Sequence, residues 1–136
     1  MVEQQIKRTE RPLELTRAEL EVMQILWRKE RCVVHDVLEE FEEPRPAYNT
    51  VSTIVRILEK KGFVGHKAYG KTYEYYPLVS KEEYTNRYMQ GVLHNFFDGS
   101  VSRLVSFFSA HQSISTKEVD EIMHLLNNHK QYHIRP

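Results

Sequence analysis

The sequence predicts a mainly α protein with a small β-hairpin wing: a winged helix-turn-helix followed by a helical dimerisation region. Three observations predict it. Apolar residues recur at helical spacing through most of the chain. Between Phe63 and Tyr76 that period gives way to two short runs rich in aromatic and β-branched residues, FVGHKAY and TYEYY. Gly70-Lys71 lies between the runs, where a tight hairpin turn belongs. Three helices and then a hairpin, in that order and within one short stretch, make a winged helix-turn-helix.

The first helix opens at Leu15-Thr16-Arg17-Ala18-Glu19, where Thr16 and Glu19 have the spacing of a capping box. Leu20, Met23, Ile25, Leu26 and Trp27 give it a broad apolar face. Trp27 keeps the helical spacing, which favours a core role over a base-stacking platform. The second helix runs from about Val34 to Phe41, with Val34, Val37, Leu38 and Phe41 inward and an acidic outer face. The third is PAYNTVSTIVRILEKKG, started by Pro46 and stopped by Gly62. Val51, Ile54, Val55 and Leu58 form its apolar stripe. Its other face carries Asn49, Thr50, Ser52, Thr53, Arg56 and Lys60, next to Tyr48 in the first turn. Small hydroxyls and amides are weaker helix formers than the Glu and Lys of an ordinary solvated face. At the leading turns of a helix they can reach base edges and phosphates in a major groove. An ordinary amphipathic helix with a polar outside is the alternative.

Past the hairpin, Ser80-Lys81-Glu82-Glu83 and Ser115-Thr116-Lys117-Glu118 repeat the capping-box spacing. Tyr84, Tyr88, Val92 and Phe96 make one stripe, broken by Asp98-Gly99-Ser100. Val101, Leu104, Val105 and Phe108 make the next, and Val119, Ile122, Met123 and Leu126 the last. A free unit of this size buries little surface, so burial against a second copy is expected, in a twofold dimer. Packing back on the winged helix within one chain is the alternative. The expected organisation is a flexible arm over 1–12, a winged-helix DNA-binding domain over 13–78, a helical dimerisation domain over 79–127 and a fraying tail over 128–136.

The 136 residues suit one domain or two small ones. No apolar run approaches the roughly 18 residues of a membrane span, and MVEQQIKRTERPLE has no apolar core of a secretory signal. Cys32, the one cysteine, makes no internal disulfide, so a reducing, cytoplasmic setting is expected. Nineteen cations balance nineteen anions, unlike most DNA-binding domains, which are basic. Yet acids gather at Asp36, Glu39, Glu40, Glu42 and Glu43, and cations at Arg56, Lys60, Lys61, Lys67 and Lys71. Local potential is what a polyanion meets. His124, His129 and His133 lack the companions of a metal cage, and no metal and no cofactor is expected. No hydrolase or phosphate-binding motif appears, so no enzyme and no catalytic residue is expected. The Tyr73, Tyr75 and Tyr76 cluster is expected to pack the wing against the helices rather than stack on bases. Cys32, beside Arg31 and His35, reads as a small buried residue or a reactive thiol.

LTRAELEVMQILW, and NTVSTIVRILEKKGFVGHKAYGKTYEYYPLVS after it, resemble the BlaI/MecI family of bacterial transcriptional repressors, over roughly Leu13 to Leu126. The resemblance implies a cytoplasmic homodimer on an inverted-repeat operator in double-stranded DNA, often controlling β-lactam antibiotic resistance genes. It places the DNA-reading positions on Asn49, Thr50, Ser52, Thr53 and Arg56, with Thr16 and Arg17 on phosphates. Lys67, Tyr69 and Lys71 would lay the wing along the backbone. It also implies a membrane-bound sensor protease as partner, which cuts an Asn-Phe bond in the family. Phe107-Phe108 stands there in this chain, with no Asn. Val33 stands where the family commonly places a small hydroxyl at the second helix's cap, and a weaker helix start is expected. Two other readings remain: a winged-helix protein-protein interaction module without DNA binding, and a small-ligand-responsive regulator.

Overall fold

The computed structural model describes residues 14–111 and 114–134, with side chains to 128. The expected arm and the side chains of His129 and His133 lie outside the described residues.

Helix α1, Arg17–Lys29, starts as its sequence dictates. The Glu19 N–H donates to Thr16 Oγ1 at 3.2 Å, and the Thr16 N–H donates to Glu19 Oε1 at 2.9 Å. Val22, Met23, Ile25 and Leu26 are buried, and Leu20 and Trp27 pack against them. Trp27 Nε1 donates to the Val79 carbonyl at 2.8 Å, so its polar end is satisfied within the fold. Strand β1, Cys32–Val33, follows and leads into helix α2, Val34–Glu39. No side-chain hydrogen bond caps α2. Val33 at its N-cap is a strand residue first, facing Glu74 across the sheet. A β-branched residue suits that pairing better than a serine would.

Helix α3, Tyr48–Lys60, buries Val51, Val55 and Leu58. Its end is a Schellman turn: the Phe63 N–H bonds to the Leu58 carbonyl at 2.9 Å and the Gly62 N–H to that of Glu59 at 3.0 Å. Gly62 has φ 86°, a left-handed conformation that favours glycine. The turn drops Phe63 into the core beside Leu58. Strands β2, Val64–Tyr69, and β3, Thr72–Pro77, then pair antiparallel around Gly70-Lys71, with Tyr69 opposite Thr72. The sheet has three strands in the order β1-β3-β2, so the hairpin gains a short third strand that periodicity does not foresee.

Helix α4, Lys81–Phe97, starts at a second capping box, with the Glu83 N–H on Ser80 Oγ at 3.0 Å. Helix α5, Val101–His111, is capped by Ser100, and helix α6, Thr116–Ile134, by Ser115. The chain divides into two compact units between Met89 and Gln90, inside α4 rather than at the hairpin's end. Tyr84 explains the shift. Expected on the dimer face, it is 6% exposed in the first core, edge-on to Phe63, and its hydroxyl accepts from the Leu15 N–H. In the second unit apolar side chains lie open. Phe96, Val101, Val105, Phe108, Val119, Met123 and Leu126 are exposed, and α5 buries nothing. Val92, Leu104 and Ile122 are half-buried. Backbone helix continues past Leu126 to Ile134, where a fraying tail was expected.

Candidate nucleic-acid interface

Helix α3 and the wing enclose a groove of about 370 Å³. Tyr48, Ser52 and Arg56, one helical turn apart, form the α3 wall. Lys71, Thr72, Tyr73 and Tyr75 form the wing wall, and Val33, Val34 and His35 close the end. No carboxylate lines it among the described residues. Asn49, Thr50 and Thr53 are exposed on the outer arc of the same helix, beside rather than inside the groove.

Charge pairing separates the cations. Arg28 and Lys29 are spent on Glu40, Arg31 on Glu74 and Arg45 on Glu43. Lys61 lies 2.9 Å from the buried carboxylate of Glu19. Arg17, Arg56, Lys60, Lys67 and Lys71 have no carboxylate partner among the described residues. These are the cations the sequence assigns to DNA. Lys81, Arg87 and Lys117 are unpaired as well among the described residues, but α3 and the wing bring four unpaired cations to neighbouring elements of a neutral chain. Thr16 Oγ1 accepts from the backbone as a cap, and its own O–H remains available as a donor.

The two pleats of the wing differ. His66, Tyr73 and Tyr75 share one face, with Tyr75 buried and Tyr73 stacked on His66 at 4.1 Å. Burial pushes the Tyr75 phenol up, and the charge of Glu59 adds to that. Lys67 and Tyr69 stand on the other face, with Lys67 Nζ 5.4 Å from the Tyr69 ring. There Tyr76 covers Gly65, leaving a Cβ only 3.1 Å from its ring, and carries Arg31 above it. Tyr75 therefore packs the wing inward, whereas Tyr76 packs across its own hairpin. Sequence reasoning missed His35, Thr72 and Tyr73 as groove residues. A two-residue turn after Tyr69 places Thr72 and Tyr73 beside Lys71, and that turn is the signal that could have found the last two.

Cys32 is 4% exposed, and burial raises its thiol, with the charge of Asp36 adding to the effect. That is the environment of a structural cysteine and not of a nucleophile. His35, Asp36 and Glu39 bring ligand atoms within 4.8 Å of one another, but all three are exposed and His35 is already paired with Glu39. Phe107 and Phe108 lie inside α5. No helix among the described residues is long and apolar enough to cross a membrane.

Fold and groove define a winged-helix protein with a cationic face along α3 and the wing. The penicillinase repressor family model matches residues 15–128, and the chain belongs to that family of DNA-binding transcriptional repressors. The methicillin resistance regulatory protein MecI of Mammaliicoccus sciuri is 30% identical over 115 residues, spanning 84% of this chain and 94% of that protein. The penicillinase repressor of Bacillus licheniformis is 26% identical over 118 residues, spanning 86% and 92%. The solution structure of the DNA-binding domain of the repressor BlaI is 27% identical, covers 52% of this chain and 87% of that domain, and has a TM-score of 0.46.

Proposed function

We propose that this protein is a dimeric repressor that binds an inverted-repeat operator in duplex DNA. The groove carries the reading: Arg56 and Lys71 face it from two elements, with no carboxylate along it among the described residues. Helix α3 enters the major groove, with Asn49, Thr50, Ser52 and Thr53 toward base edges and Arg56 on a guanine edge or a phosphate. Tyr48 flanks them from the first turn. Thr16, Arg17, Lys60 and Lys71 hold phosphates, and Lys67 with Tyr69 meets the backbone from the outer face of the wing. The open apolar side chains of α4, α5 and α6 meet their counterparts in a second copy, which matches two winged helices to two half-sites. The names of the relatives make β-lactam resistance genes the first targets to examine.

Arg56→Ala tests the docking face. It should cost about 1–3 kcal/mol of operator affinity if the guanidinium reads a base edge, with relaxed specificity at that position. An unchanged affinity and salt dependence would remove α3 as the docking element.

A further inference from the structure

The wing is a two-stranded ribbon with a two-residue third strand, and such ribbons hold their shape poorly alone. Among the described residues, one side-chain hydrogen bond joins it to α3 beside the groove. His66 Nδ1 meets Glu59 Oε2, from the last turns of α3, within hydrogen-bond distance. The other side of the imidazole lies flat on Tyr73, with planes 10° apart, and tilts against Tyr75 at 5.6 Å. Tyr73 and Tyr75 are themselves groove wall. We propose that His66, held by Glu59 and stacked on Tyr73, is a positioning residue that sets the wing against the reading helix and makes duplex affinity depend on pH. This rests on the DNA-binding reading above.

Both partners are about a third exposed, His66 at 30% and Glu59 at 33%, so solvent protons reach the pair while bulk screening is reduced. The groups facing the imidazole are Glu59 on α3, and Tyr73 and Tyr75 on β3, with Arg56 and Tyr48 of α3 acting on Tyr75 behind it. Lys67 and Glu74 lie on the opposite pleat. A neutral imidazole with its proton on Nδ1 donates to Glu59. An imidazolium donates the same bond and adds Coulomb attraction, so the charged form makes the tighter joint.

The experiment is a binding titration of a selected duplex at about pH 6 and about pH 8, with wild type, His66→Ala, His66→Asn and His94→Asn. Wild-type affinity should fall about threefold to fivefold toward the alkaline end, as expected for a partly exposed ion pair. His66→Ala should be weaker at both ends and flat. His66→Asn keeps an N–H close to the Nδ1 position but cannot charge, so it should regain most of the alkaline affinity and stay flat. His94→Asn, exposed on α4 and outside the groove, should keep the wild-type profile. His66→Ala that melts as wild type and binds with the wild-type pH profile overturns the proposal and leaves DNA binding standing. If His66→Ala does not fold, a wild-type profile in His66→Asn overturns it equally. Wild type that binds no duplex overturns both.

Discussion

Lys71→Ala should change the salt dependence of operator binding by a calculable amount. Lys71 stands at the hairpin turn, lines the groove and has no carboxylate partner among the described residues. Each phosphate neutralised on duplex DNA contributes about 0.9 to the slope of log affinity against log salt. A dimer places two such lysines on the operator, so the variant should lose about 1.8 of slope. The five cations assigned to DNA in each protomer, all in contact, would set a wild-type slope near −9. Arg28→Ala is the control, since Arg28 is committed to Glu40 at 2.9 Å. It should leave the slope unchanged. The assay is fluorescence anisotropy on one duplex across a salt series. A slope indifferent to Lys71, or equally sensitive to Arg28, would refute the assignment of phosphate contacts from charge pairing.

Phe96, 75% exposed, tests the dimer. Phe96→Asp should shift sedimentation toward monomer and weaken operator binding while the winged helix keeps its fold; a dimer of wild-type affinity would show that this face is not the seam. Glu19 tests the first core. Burial works to raise its carboxyl, yet the Lys61 ammonium and the Thr16 bonds outweigh it and hold it below the ordinary 4.5. A depressed carboxylate stabilises the fold above its unfolded pKa, and that stability is lost as pH falls through the folded value. Wild type should therefore lose stability below about pH 4.5. Glu19→Gln should be less stable at neutral pH by about 1–2 kcal/mol, discounted from a fully buried pair because Lys61 is partly exposed, and should lack that acid loss. Urea midpoints at neutral and acid pH decide it, and an unchanged acid loss in the variant would exclude Glu19 as its source.

Helices α1 and α3 were legible because period and punctuation agree, and α2 from its period alone, its end falling at Glu39 rather than Phe41. Thr16 and Glu19 fix one start, Gly62 fixes one end, and the Val51, Val55 and Leu58 stripe fixes the buried face. The hairpin was legible from Gly70-Lys71 between two β-prone runs. Strand β1 was not, because two residues carry no period, and its place depends on β3, some forty residues on. Tyr84 misled for the opposite reason. It continues a perfect stripe with Tyr88, Val92 and Phe96, but periodicity says which face is apolar and not where along a helix the covering surface changes. The end of α6 was missed because a polar sequence such as NNHKQYHI gives no stripe, although it can carry helical backbone. For the interface, the residues of α3 follow from their exposed arc. His35, Thr72 and Tyr73 join them through the fold alone, and Lys67 and Tyr69 alternate to the far pleat.

Selection of bound sequences from random duplex DNA, at near-physiological salt, tests the central claim most directly. The account predicts an enriched inverted repeat whose half-sites lie about one helical turn or a multiple apart. No enrichment, from protein shown to be folded and dimeric, would contradict it and leave a winged helix that serves a partner other than DNA.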